Sequence, residues 1–243
     1  MQLLFNPKVI AHRGASAYAP ENTLIAFTKA AQLEIKWIEF DVMQASCGTP
    51  IIFHDETLNR TTNGKGDVCR YSYTYLQTLD AGSWFNPRFS GERIPTLNAV
   101  MAFLANENMN ANIEIKALPG QEEQCVVRVL KDIKNYLHHP RVTLLFSSFS
   151  INALVALRKY APDCLLGLLL HEWQSNWLEV ANDLQCVSLN VNHEIMTENA
   201  AQRIKNLGKT LLCYTVNDRD RAQTLYSFGV DAVFSDAPDQ LLG

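Results

Sequence analysis

Short apolar runs and longer stretches of helical periodicity alternate along most of this chain. The first run, Val9-Ile10-Ala11, leads through His12-Arg13-Gly14 and Pro20-Glu21-Asn22 into Leu24, Ile25, Phe27, Ala31 and Leu33, which fall near helical spacing. Asn22 is the expected N-cap of that helix. The second run, Trp37-Ile38-Glu39-Phe40-Asp41-Val42, alternates as a strand does. Glu39 and Asp41 therefore share one face, and Ile38, Phe40 and Val42 the other.

Residues 45–50 read as a turn, followed by Ile51-Ile52-Phe53-His54-Asp55. So short a link predicts a hairpin, which lays His54 beside Asp41. From Glu56 to Arg93 the rhythm lapses into the turn-rich Arg60-Thr61-Thr62-Asn63-Gly64 and the aromatic loop Asp80-Ala81-Gly82-Ser83-Trp84-Phe85. Residues 43–95 thus read as an insertion in a single domain spanning 1–243. The pattern resumes at Pro95-Thr96, which start a helix over Leu97–Leu104, and the strand Asn112–Lys116 puts Glu114 and Lys116 on one face. Helices are then expected over 121–137, 150–160, 174–183, 197–207 and 219–228, each followed by a strand: Val142–Phe146, Leu165–Leu169, Val187–Val191, Thr210–Val216 and Asp231–Phe234. Without the hairpin partner, eight strands remain in βα succession. That predicts an α/β fold closed as a (β/α)8 TIM barrel, which typically needs about 250 residues.

Composition narrows the class. The 243 residues are 47% hydrophobic and 19% charged, with a net charge of −4, so neither disorder nor a nucleic-acid footprint is indicated. No apolar run is long enough to span a bilayer, and Met1–Lys8 lacks a basic region and apolar core of signal-peptide length. The six cysteines, at 47, 69, 125, 164, 186 and 213, form no CxxC pair and suit reduced thiols, Cys186 and Cys213 reading as small core residues. A cytoplasmic location is the expectation.

Candidate chemistry gathers at strand ends, where a βα barrel opens its working face. Glu39, Asp41 and Glu114 all fall on inward positions there. Three carboxylates suit a hard divalent cation, Mg²⁺ or Ca²⁺, better than zinc; the competing reading pairs them with Arg13 and Lys116 as salt bridges. His12 and His54 would flank the cation. A phosphodiester needs a base, an acid and positive charge on its phosphoryl oxygens, and two imidazoles with Arg13 and Lys116 answer that need. Glu21 is read first as helix-end architecture, with contact to metal or substrate as the alternative. Asn217 is equally an N-cap or a binding residue. Trp84 and Phe85 either line a substrate path or anchor the insertion. His138, His139, His171 and His193 lack ligand spacing and are expected on loops or surfaces, and Asp236-Ala237-Pro238 ends the barrel.

His12-Arg13-Gly14 with Pro20-Glu21-Asn22-Thr23, Glu39-Phe40-Asp41, His54-Asp55 with Arg60-Thr61-Thr62, Glu114-Ile115-Lys116, Tyr214-Thr215-Val216-Asn217 and Ser235-Asp236 together resemble the glycerophosphodiester phosphodiesterase family. The motifs run in family order over nearly the whole chain. The resemblance implies a TIM barrel with an insertion after the second strand. It implies hydrolysis of glycerophosphodiesters, such as glycerophosphocholine and glycerophosphoethanolamine, to sn-glycerol 3-phosphate and an alcohol. His12 and His54 would be acid and base, Glu39, Asp41 and Glu114 would hold Mg²⁺ or Ca²⁺, and Arg13 and Lys116 would hold phosphate. As in phosphoinositide phospholipase C, the glycerol 2-hydroxyl would attack phosphorus and water would open the cyclic product. Many relatives carry Trp where this chain has Tyr214, so the aromatic wall of the glycerol pocket differs. A small-molecule substrate is expected, with neither nucleic acid nor membrane insertion. The rival readings are a lysophospholipase D-like hydrolase and a non-catalytic barrel that binds phosphodiesters.

Overall fold

The computed structural model describes residues 5–242, so the reading of Met1–Lys8 as lacking a leader lies partly outside the described residues. The chain begins with β1 (Val9–His12), α1 (Leu24–Gln32), β2 (Trp37–Gln44) and β3 (Pro50–Ile52). The single-turn α2 (Tyr73–Leu76) precedes α3 (Leu97–Glu107) and β4 (Asn110–Ile115). Alternation then continues through α4 (Glu122–Asp132), β5 (Leu144–Ser148), α5 (Ile151–Tyr160), β6 (Leu165–Leu170) and α6 (Trp177–Asp183). It ends with β7 (Ser188–Asn192), α7 (Glu198–Asn206), β8 (Thr210–Tyr214), α8 (Arg219–Ser227) and β9 (Ala232–Ser235).

Eight strands pair in parallel and the β1–β2 ladder closes the ring, giving the TIM barrel. The ninth, β3, lies outside it. β1 stops at the His12–Glu39 pair, and β3 runs antiparallel along the distal end of β2, from Val42–Ile52 to Gln44–Pro50. A short first strand thus leaves room for a hairpin that returns the chain to the barrel mouth at His54.

The alternation read from β2 holds. Ile38, Phe40 and Val42 point outward into the large core shared with the helices. Inside the ring, Ile10, Trp37, Leu145, Leu212 and Phe234 form an apolar plug with Phe5. Above it lies a polar layer in which Asn112 bonds Ser147 and Asn190, and Asn190 accepts from Ser188. The insertion carries its own cluster, from Met43 and Phe53 through Leu58, Val68 and Leu76 to Ile94.

Some boundaries move for local reasons. Thr23, not Asn22, caps α1, its hydroxyl accepting from the Ala26 N–H. α4 ends at Asp132 rather than 137, because the chain tightens into an i→i−3 turn from Tyr136 N–H to Ile133 C=O. β8 ends at Tyr214 rather than Val216, whose N–H bonds the carbonyl of Phe234. Among the described residues no helix is long and apolar enough to cross a membrane.

Gly14 is fixed by the packing of the first loop. Its φ is +82°, and a Cβ there would sit 2.7 Å from the Ala26 Cβ and 2.8 Å from the Ala26 carbonyl carbon. Gly91 has φ +96° with nothing within 4 Å, so a side chain there meets the backbone penalty alone. Gly14→Ala is expected to cost roughly 2–5 kcal/mol and Gly91→Ala about 1–2 kcal/mol, read as shifts in urea midpoint at constant slope.

Candidate active site

At the C-terminal mouth of the barrel, His12, Arg13, Glu39, His54, Asn112, Glu114 and Lys116 border a cavity of about 360 Å³. Phe149, Leu169, His171 and Tyr214 form much of its other wall. The charged half comes from β1, β2, β4 and the β3 hairpin, and the apolar half from the later strands.

Glu39, Asp41 and Glu114 converge as expected: each offers a carboxylate oxygen, and these atoms lie within 4.8 Å of one another. Glu39 and Asp41 are only 4% and 1% exposed. Compensation is partial. The Arg13 N–H donates to Glu39 at 2.9 Å, and the Asn22 amide donates to Asp41 at 2.9 Å. Lys116 Nζ stands 3.9 Å from Asp41 and 4.0 Å from Glu114, and Arg13 Nε is 3.5 Å from Asp41. Burial, then the Asp41 charge, pushes the Glu114 carboxyl up to about 8. Burial and the other two acids hold Glu39 well above the usual carboxylate range. Three acids against two cations, all with oxygen donors, form a set that a hard divalent cation fits.

The loop backbone is bent to serve these acids. Arg13 and Asn22 adopt left-handed conformations, φ 54° and 57°, uncommon outside glycine. In those conformations Arg13 aims its N–H at Glu39 and Asn22 turns its amide to Asp41. This displaces Asn22 from its expected capping role.

Each histidine is held at Nδ1 by an aspartate. His12 Nδ1 donates to Asp236 at 2.7 Å, and His54 Nδ1 donates to Asp55 at 2.6 Å. An ionised carboxylate only accepts, so Nδ1 carries the proton in each ring and Nε2 is the nitrogen left for other partners. His12 Nε2 lies 4.0 Å from Glu39. Burial, reinforced by the Arg13 and Lys116 charges, draws His54 below its ordinary value against the opposing pull of Asp41 and Asp55. Against the pull of burial, hydrogen bonds from His12, Asn217 and Ser16 hold Asp236 well below the carboxylate range.

Several residues take parts the sequence did not assign. Asp236 does more than end the barrel, since it orients His12. Asn217 is neither cap nor cavity lining: Asp218 caps α8, while the Asn217 amide donates to Asp236 at 2.7 Å and accepts from its N–H at 2.8 Å. Glu21 precedes the cap of α1 and is not in its first turn; it bonds Arg13 at 2.8 Å and Arg60 at 2.7 and 2.8 Å. Trp84 does not line the cavity; its indole N–H is spent on the Ala81 carbonyl and its ring lies edge-on to Phe85, but it is 38% exposed and neither ring belongs to the apolar cluster of the insertion. His171 and Phe149 line the cavity and were missed as site residues. Each directly follows a strand end, which was the available signal. The Tyr214 hydroxyl is buried without a hydrogen-bond partner, and its ring meets Phe149 edge-on at 6.0 Å.

Residues 12–240 match the model of the glycerophosphoryl diester phosphodiesterase family. A glycerophosphodiester phosphodiesterase of Caldanaerobacter subterraneus subsp. tengcongensis is 35% identical over 238 residues, 96% of each chain. One from Bacillus subtilis is 31% identical, covering 95% of this chain and 83% of its own. Among solved structures, a phosphodiesterase of Oleispira antarctica in complex with the product sn-glycerol-3-phosphate superposes with a TM-score of 0.94 at 38% identity, over 97% of this chain and 95% of that one. With the barrel, the paired histidines and the carboxylate cluster in one mouth, the chain belongs to the glycerophosphoryl diester phosphodiesterase family.

Proposed function

We propose that this protein hydrolyses glycerophosphodiesters to sn-glycerol 3-phosphate and an alcohol, using His12 and His54 as acid and base. The observation that carries the reading is the convergence of two Nδ1-anchored imidazoles, two cations and three carboxylates on one cavity. The Oleispira antarctica structure, holding sn-glycerol-3-phosphate in a similar fold, supports the substrate class.

Displacement at phosphorus requires one group to take the proton of the attacking hydroxyl and another to protonate the departing alcohol. The Nε2 atoms of His12 and His54 serve these roles, their Nδ1 protons being committed to Asp236 and Asp55. The roles exchange when water opens the cyclic product. Arg13 and Lys116 offset charge on the phosphoryl oxygens, the guanidinium by its fork and the ammonium as a point charge. Glu39, Asp41 and Glu114 would hold Mg²⁺ or Ca²⁺, which when bound withdraws charge from the phosphoryl group. Tyr214 and Phe149 supply an apolar wall for the carbon skeleton of the substrate.

The test is incubation with glycerophosphocholine and glycerophosphoethanolamine plus Mg²⁺ or Ca²⁺, with release coupled to glycerol-3-phosphate dehydrogenase. Folded protein that yields no metal-dependent product from either removes the proposal. His12→Ala and His54→Ala are each expected to lower kcat by ~10²–10⁴-fold with unchanged circular dichroism. Glu114→Gln removes one of three mutually repelling carboxylates. Its metal-free thermal midpoint is expected above that of the unmutated protein, while the rise that Mg²⁺ or Ca²⁺ confers shrinks or vanishes. Differential scanning with and without chelator reads both.

A further inference from the structure

The two histidine–aspartate pairs are backed differently. Asp236 is supported by neutral groups, the Asn217 amide and the Ser16 hydroxyl, which lies 2.8 Å from it. Asp55 is gripped by a guanidinium. Arg60 Nε reaches Asp55 Oδ2 at 2.7 Å and Arg60 Nη2 reaches Oδ1 at 2.8 Å, so the fork covers both carboxylate oxygens. The same Arg60 reaches both oxygens of Glu21 through Nη1 and Nη2, at 2.7 and 2.8 Å. Glu21 Oε1 is shared, accepting also from Arg13 Nη1 at 2.8 Å. An unbroken run of hydrogen bonds therefore links His54, Asp55, Arg60, Glu21 and Arg13.

The Arg60 side chain is 45% exposed, so solvent screens its ion pairs, and their stabilisation rests on the bidentate, networked geometry rather than on charge alone. His54 and Asp55 sit on the hairpin extension and Arg60 in the insertion, whereas Glu21 and Arg13 belong to the first barrel loop. His54 is itself 30% exposed on its side chain, so packing encloses its ring only in part. A planar fork fixed on two carboxylates sets the Asp55 plane, and the Asp55 plane sets which imidazole nitrogen faces the cavity.

We infer that Arg60, held by Glu21, is a positioning residue that fixes the ring of His54 through Asp55 and ties it to the phosphate-facing Arg13. This rests on the hydrolytic reading above. Arg60 is not among the residues lining the cavity, and its hydrogen bonds go to Asp55 and Glu21 rather than to the three metal-facing acids, so its effect on turnover passes through its partners.

The experiment compares Arg60→Ala, Arg60→Lys and Arg70→Ala in the full chain, alone and with His54→Ala. Turnover is followed with glycerophosphocholine, and the ring N–H protons by proton NMR of ¹⁵N-histidine-labelled protein. Arg60→Ala is expected to lower kcat about 10- to 100-fold, the range that loss of an outer partner costs at metal-bound histidines, with KM changed far less. Arg60→Lys keeps the charge without the fork and is expected to recover little of the loss. Arg70→Ala, at a 77% exposed side chain paired with Asp67, serves as the charge control and is expected to match the unmutated protein. In the His54→Ala background, Arg60→Ala is expected to add less than about threefold, because the two act as one unit. The His54 Nδ1 proton signal, identified by its loss in His54→Ala, is expected to broaden or vanish in Arg60→Ala.

An unchanged Nδ1 signal in Arg60→Ala overturns the inference. So does full multiplication of the two losses in the double variant, recovery of full turnover by Arg60→Lys, or an effect confined to KM. The NMR arm needs no turnover: an inactive unmutated protein would remove the hydrolytic reading, while the Nδ1 signal still decides whether Arg60 fixes His54.

Discussion

Three carboxylates largely shut off from water set the terms for the mouth of this barrel. Moving ionised groups out of water is costly unless each finds a partner, and the partners of Glu39, Asp41 and Glu114 are too few or too distant. The result is visible in Glu114, pushed up to about 8, and in Glu39, held well above the normal range. The surrounding chain is bent toward this cluster. Two non-glycine residues, Arg13 and Asn22, take left-handed backbone angles and turn donors onto it. Strain of that kind persists where surrounding packing over-determines it, and Gly14, wedged against Ala26, shows how closely this loop is pinned to α1.

That concentration of polarity is sustainable because the barrel separates its duties by layer. The outward faces of the strands and the inward faces of the helices form the large apolar core. The apolar plug around Trp37, Leu145 and Phe234 closes the lower interior. Only the upper interior is polar, and its deeper members, Asn112, Ser147, Ser188 and Asn190, satisfy one another. Unmet demand is left at the mouth, in the carboxylates, in Arg13 Nε and in the Tyr214 hydroxyl, where a ligand can meet it.

What the sequence made legible follows from period and proximity. Strand alternation put Glu39 beside Asp41 and Glu114 beside Lys116, because a period of two leaves no freedom over face. The hairpin brought His54 to Asp41 because its link is too short for a crossover. Contacts between residues far apart in the chain were opaque. Nothing local ties His12 to Asp236, 224 positions away, or Arg60 to Glu21, and both acids were given local explanations, a terminus and a helix end. Asn22 and Asn217 failed in the same way: each stands beside a true cap, Thr23 and Asp218, and each spends its amide on a carboxylate instead. Capping propensity is a local rule, and the demand of a carboxylate brought close by the fold outranks it.

The division between barrel and insertion gives the charged contacts at their seam a meaning. The insertion packs around its own apolar cluster, from Met43 to Ile94, and Phe53, the neighbour of His54, belongs to that cluster. His12 and its Asp236 are both set by barrel strands or the loops directly after them, so their separation is fixed by the ring itself. His54 instead inherits its position from the hairpin and the insertion behind it. If both imidazoles are to face one phosphorus, as proposed, the two bodies must be held in a single register. Apolar packing is non-directional and tolerates small slides, whereas a guanidinium fork on two carboxylates fixes both distance and plane. Arg60, reaching from the insertion to Asp55 and to Glu21 of the first barrel loop, supplies that directional constraint at the point where the sequence departs from the regular βα repeat.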